Sequence, residues 1–117
     1  MEAMIRQGAT PALDIVLHDV AVQDATVYVT IDQGDKQLTK SNYSNDPSVI
    51  CTAITSNGEQ TGTNIQVLFN QAETLRLRPG FGHVQVRWIF EDGSADSSDI
   101  GRIEIAKSFL KAVIAHG

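Results

Sequence analysis

Apolar residues fall on every second position in four separate short runs of this chain. Leu13, Ile15 and Leu17 alternate with Asp14, Val16 and His18; Val27, Val29 and Ile31 alternate with Thr26, Tyr28 and Thr30. Ile65, Val67 and Phe69 alternate with Gln66, Leu68 and Asn70, and Val84, Val86, Trp88 and Phe90 alternate with Gln85, Arg87, Ile89 and Glu91. Successive side chains of a strand leave it on opposite faces, so this period buries one set and turns the other toward solvent or a second layer. The Val, Ile, Thr and aromatic content of the runs suits strands. Trp88 shares the parity of Val84 and Val86, which places it in the core rather than on a surface where it could stack on a sugar.

Turn signals punctuate the runs. Gln33-Gly34-Asp35-Lys36 turns the second run back into a strand over Gln37 to Ser41, with Leu38 inward. Asn42 to Pro47 is a polar loop, and Val49 to Thr55 is the next strand. Ser56-Asn57-Gly58 ends that strand, and the polar stretch from Gly58 to Asn64 reads as a loop longer than two residues. Asn70 with Glu73 three residues on is a capping box, so one helical turn is expected near 70–75 before Arg78-Pro79-Gly80 stops it. Asp92-Gly93 is a turn, and the last strand is expected from Ser98 to Ala106.

About seven strands joined by connections this short imply an all-β fold, an immunoglobulin-like antiparallel β-sandwich over residues 11–106. Residues 1–10 are expected to be a flexible lead-in. From Lys107 the β period stops. On a helix, Phe109, Leu110, Val113 and Ile114 would form one apolar stripe, so residues 107–117 read as a short amphipathic tail, helical or extended. A helix of about ten residues is marginal alone and needs a surface to lie on, either its own sandwich or another chain. The stripe is therefore the candidate partner-binding surface.

Charge and chemistry narrow the function classes. With 117 residues the chain is the size of one domain, and with nine Lys plus Arg against fourteen Asp plus Glu its net charge is −5. That balance disfavours a phosphate-binding surface, so no nucleic-acid partner is expected. No apolar run approaches the length that spans a membrane, and Met1 to Gln7 lacks the apolar core of a signal peptide. Cytoplasmic synthesis and no membrane partner are the expectations. The single cysteine, Cys51, lies in an apolar run and reads as a small buried hydrophobe. His18, His83 and His116 have no ligand companion at metal-binding spacing. The acidic group Glu91, Asp92, Asp96 and Asp99 lacks the rhythm of a calcium loop. Neither a metal nor another cofactor is expected. No phosphate loop, dinucleotide fingerprint or nucleophile elbow occurs, so no catalytic residues are assigned and an enzyme is not expected. Tyr28, Tyr43 and Phe81 are the candidate exposed aromatics, the platform a carbohydrate-binding sandwich would need.

Several stretches together resemble a known family. These are Arg6-Gln7-Gly8-Ala9-Thr10-Pro11, Val27 to Lys36, Leu68-Phe69-Asn70-Gln71-Ala72-Glu73-Thr74-Leu75, Val84-Gln85-Val86-Arg87-Trp88 before Glu91-Asp92-Gly93, and Ser97-Ser98-Asp99-Ile100. They are similar to small structural proteins of phages and prophages of Gram-positive gut bacteria, which resemble the amino-terminal immunoglobulin-like domain of baseplate upper proteins. The resemblance runs from about Arg6 to about Ile105. The stretches 42–47 and 56–63 are longer than the family pattern, and no fibre or receptor-binding segment follows, so a separate structural subunit is the expectation. The resemblance implies a non-catalytic assembly module of a virion, tail or baseplate associated, whose partners are other phage structural proteins or further copies of itself. The alternatives are a carbohydrate-binding β-sandwich and a head-tail or capsid-associated accessory protein.

Overall fold

The computed structural model describes residues 2–43, 48–109 and 113. They form nine strands and one short helix: β1 (Glu2–Arg6), β2 (Ala12–His18), β3 (Thr26–Asp32), β4 (Gln37–Ser41), β5 (Val49–Ser56), β6 (Glu59–Leu68), α1 (Gln71–Leu75), β7 (Gly80–Ile89), β8 (Ala95–Ser97) and β9 (Gly101–Ala106). The larger sheet runs β1-β9-β7-β3-β4, with β8 added along β7, and the smaller runs β2-β6-β5. That is the strand order of an immunoglobulin-type sandwich: β2, β6 and β5 stand where B, E and D do, and β9, β7, β3 and β4 where G, F, C and C′ do.

The alternation explains the two layers. Val27, Val29 and Ile31 of β3 and Val84, Val86 and Trp88 of β7 face Leu13, Ile15 and Leu17 of β2 and Ile65 and Val67 of β6, and all are buried. The sandwich core has no disulfide across it, and its tryptophan sits on β7. Hydrophobic burial alone, at about 25 cal/mol per Å² of apolar surface, holds the layers together.

Three expectations need correction. Residues 1–10 are not a free lead-in: β1 pairs in parallel with β9, from Glu2 opposite Arg102 to Arg6 opposite Ala106. Ile5, opposite Ile105, is buried, and the Gln7 amide extends the ladder by donating to Ala106 O at 3.0 Å. One buried residue is too short a period to announce a strand. The polar stretch 58–64 is not a long loop either. Asn57 and Gly58 have φ of 53° and 81° and form a two-residue turn, after which β6 begins at Glu59. The expected strand from Ser98 to Ala106 is shortened at its start, and a separate short strand, β8, precedes it. Ser98 donates its N–H to Val86 O at 2.8 Å and accepts the Val86 N–H on its hydroxyl at 3.0 Å, and β9 starts only at Gly101. The strand total is therefore nine rather than about seven, with one parallel pair.

The helical turn follows the capping-box expectation. Asn70 Oδ1 accepts the Glu73 N–H at 2.8 Å, and Glu73 Oε1 accepts the Asn70 N–H at 2.9 Å. Glu73 also holds Lys40 of β4 at 2.6 Å, with both side chains mostly shielded from solvent. Five residues cannot sustain a helix without such anchors. Asn70→Ala is expected to cost about 1 kcal/mol, read as a lower midpoint in urea unfolding with an unchanged slope.

Candidate assembly surface

Sequence-distant stretches converge at the end of the sandwich where the tail departs. Gln7 is buried there, its Nε2 donating to Leu77 O at 2.7 Å and its Oε1 accepting the Ser108 N–H at 3.2 Å. Thr74, also buried, donates its hydroxyl to Ala9 O at 2.9 Å, and the Phe69 N–H donates to Pro11 O at 3.1 Å. Gln33 clamps the backbone of Arg78, donating to its carbonyl at 2.7 Å and accepting its N–H at 2.9 Å. The Arg78 guanidinium pairs with Asp35 and holds that carboxyl below its ordinary range. Buried amide side chains that satisfy loop backbone in this way fix a loop's shape without a regular ladder.

The tail leaves this end exposed. Phe109 is 96% exposed, so it does not pack on its own sandwich, and Val113 is 59% exposed. Lys107 Nζ lies 5.9 Å from the centre of the Phe109 ring. Residues 107–109 and 113 carry no helix. Leu110 and Ile114, the other two residues of the expected stripe, lie outside the described residues.

The candidate aromatics are separated. Phe81 projects from the outer face of the larger sheet, 53% exposed, with the Arg102 guanidinium 3.6 Å from its ring centre. Glu104 is its cross-strand neighbour, and Met4 lies beyond Glu104 on the same face. Tyr28, 36% exposed, is opposite Arg87, six residues along β7 from Phe81. At about 3.3 Å per residue, the two rings stand roughly 20 Å apart along the sheet. Tyr28 borders a hollow of about 400 Å³ shared with Thr30, Thr39, Arg87 and Ile89. Tyr43 follows β4, 66% exposed. Phe81 therefore shares no platform with Tyr28, while Tyr28 and Tyr43 both border hollows that include Ile89.

One concavity was not foreseen. A groove of about 530 Å³ is lined on one wall by four consecutive residues, Ile15 to His18, and on the other by Asp96 to Gly101. Consecutive residues of a strand point to opposite faces, so a wall made of them is the strand's edge. Among the described residues β2 pairs with β6 alone, and this groove follows its open side. Val84, Val86 and Trp88 form the floor, while Asp96, Asp99 and His18 supply the charged and titratable groups of the lining. The legible signal was the polar run Asp96-Ser97-Ser98-Asp99 at the start of the expected last strand.

The remaining reactive groups are dispersed. His18 and His83 are exposed on different sheets, and among the described residues no three His, Cys, Asp or Glu gather. Asp92 is held below its ordinary range by hydrogen bonds from Ser94, which close the turn before β8. Cys51 packs against the core half-buried, and burial pushes its thiol above its ordinary value of 9.0. The neutral thiol is favoured in the fold, so that stabilisation is present below the ordinary value and lost as pH rises through the raised one. Aromatic disulfide reagents are expected to label Cys51 slowly at pH 7 and much faster in urea; equal rates in both would contradict the burial. The chain matches no family model, and no curated protein matches it either.

Proposed function

We propose that this protein is a non-catalytic structural module of a phage or prophage virion, associated with the tail or baseplate and acting through protein–protein contacts. The observation that carries the reading is the tail's exit. Gln7 and Leu77 hold the chain at Ser108, and one residue later Phe109 stands bare in solvent. Of the stretches that resemble the phage family, Arg6 to Pro11 and Phe69 to Leu75 meet here, and the end of the Val27 to Lys36 stretch reaches Arg78 beside them. An anchored base that presents a large apolar side chain outward suits a surface covered by another subunit.

The experiment is prophage induction in the host that encodes the chain, followed by density-gradient purification of particles and immunogold labelling. The chain should stay with the particles through high-salt washing and label the tail end. Label on the head would instead favour the head-tail or capsid accessory role. Particles that lack the chain altogether would refute a virion role.

A further inference from the structure

We infer that the groove beside β2 receives the C-terminal tail, residues 107–117, of a second copy of this chain as an added strand. The inference rests on the assembly reading and gives it a seat. Strand addition to an open sheet edge uses backbone hydrogen bonds for affinity and side-chain pockets for selectivity.

Among the described residues five strands lie at sheet edges and differ in what they offer, and β8 has only three residues. β1 and β4 are five residues each, and β5 loses its register between Ile54 and Thr55. Short or irregular edges resist pairing. β2 keeps an unbroken seven-residue register with β6, and its other side opens on the groove. The volume of about 530 Å³ falls in the range of pockets that hold several side chains.

Charge selects the occupant. Asp96 and Asp99 line the groove, and neither lysine nor arginine does. The tail carries Lys107 and Lys111 and no acidic residue through Gly117, in a protein whose net charge is −5. In an added strand Leu110, Ala112 and Ile114 share one face, which can meet the floor of Val84, Val86 and Trp88, while Lys107 and Lys111 fall on the other.

Within one copy the described start of the tail leads away from the groove. Gly101 lines the groove, but β9 runs away from it, and Ala106 lies five residues on, about 17 Å along the strand. Phe109 of the same chain is bare rather than seated. Groove and tail therefore form two different halves of a contact between copies. Such a head-to-tail contact closes into a ring when the rotation per copy allows it and otherwise continues as a filament.

Charge exchange in the full-length chain tests the inference. D96K/D99K and K107D/K111D are compared singly and combined, by sedimentation across a concentration series, after thermal melts confirm folding. Each half alone should weaken association by about tenfold or more, and the combined protein should recover it. Trp88, the only tryptophan, lies in the floor, so its emission should shift to the blue as the native chain associates. A native chain that stays monomeric at every concentration overturns the inference. So does association that D96K/D99K leaves intact and only K107D/K111D removes; that result would leave the tail as an assembly element with a different seat. Absence from virions would fail the broader reading while leaving self-association measurable on its own.

Discussion

Gly62→Ala is expected to destabilise the protein by about 3 kcal/mol, toward the upper end of overpacking costs. Gly62 sits in β6 between His18 of β2 and Ile54 of β5. A Cβ built there meets Leu17 O at 2.3 Å and Leu17 C at 3.3 Å, and both are backbone atoms that no rotamer change can move. Relief requires β2 to shift away from β6 where Leu17 enters the core. Next along β6, Thr63 is fully buried, donates its hydroxyl to Val20 O at 2.7 Å and accepts the Val22 N–H at 3.1 Å. Displacing β6 strains those bonds as well. Denaturant unfolding measures the loss, and for a domain of this size the melting temperature should fall by about 10 °C or more. A change under about 1 kcal/mol would mean that the two strands stand further apart than described.

Gln7→Leu should cost about 2 kcal/mol, and its effect should be local. The substitution keeps the volume but removes the donor to Leu77 O and the acceptor for the Ser108 N–H. An unpaired buried carbonyl costs about 1–3 kcal/mol, while the half-buried Ser108 amide can turn to water. Amide exchange should therefore quicken across β1 and residues 106–108 before it quickens in β3 or β7. Uniform acceleration would show that Gln7 serves only global stability. If the anchored exit matters for assembly, this variant should also associate less well while its sandwich remains folded.

The central strands were legible because each carries at least three apolar residues at a strict period of two, as in Val27, Val29 and Ile31. The helical turn was legible because Asn70 and Glu73 form a local motif that needs no tertiary partner. β1 was hidden because its pairing strand lies a hundred residues away, Ile105 against Ile5, and no local pattern records such a contact. The late start of β9 was hidden because Ser98 uses a side-chain hydroxyl where a strand would use its backbone. At the candidate site, the apolar tail stripe could be read as a pattern, but its seat could not. The groove exists only where the edge of β2 meets the 96–101 segment, and a linear sequence states neither which strand is outermost nor what lies beside it.

The parallel pairing of β1 with β9 also bears on how the protein is made. β1 is made about a hundred residues ahead of its hydrogen-bonding partner, residues 102–106. At elongation rates of about 5–20 residues per second Ile5 waits about 5–20 s without its partner strand. The closure then spans about 100 residues, an entropic cost that grows only with the logarithm of length but makes the step intrinsically slow. Folding of the larger sheet is thus completed only once β9 has been made. A nascent chain stalled before Gly101 would display both an unpaired β1 and a bare β7 flank to its neighbours on the same polysome.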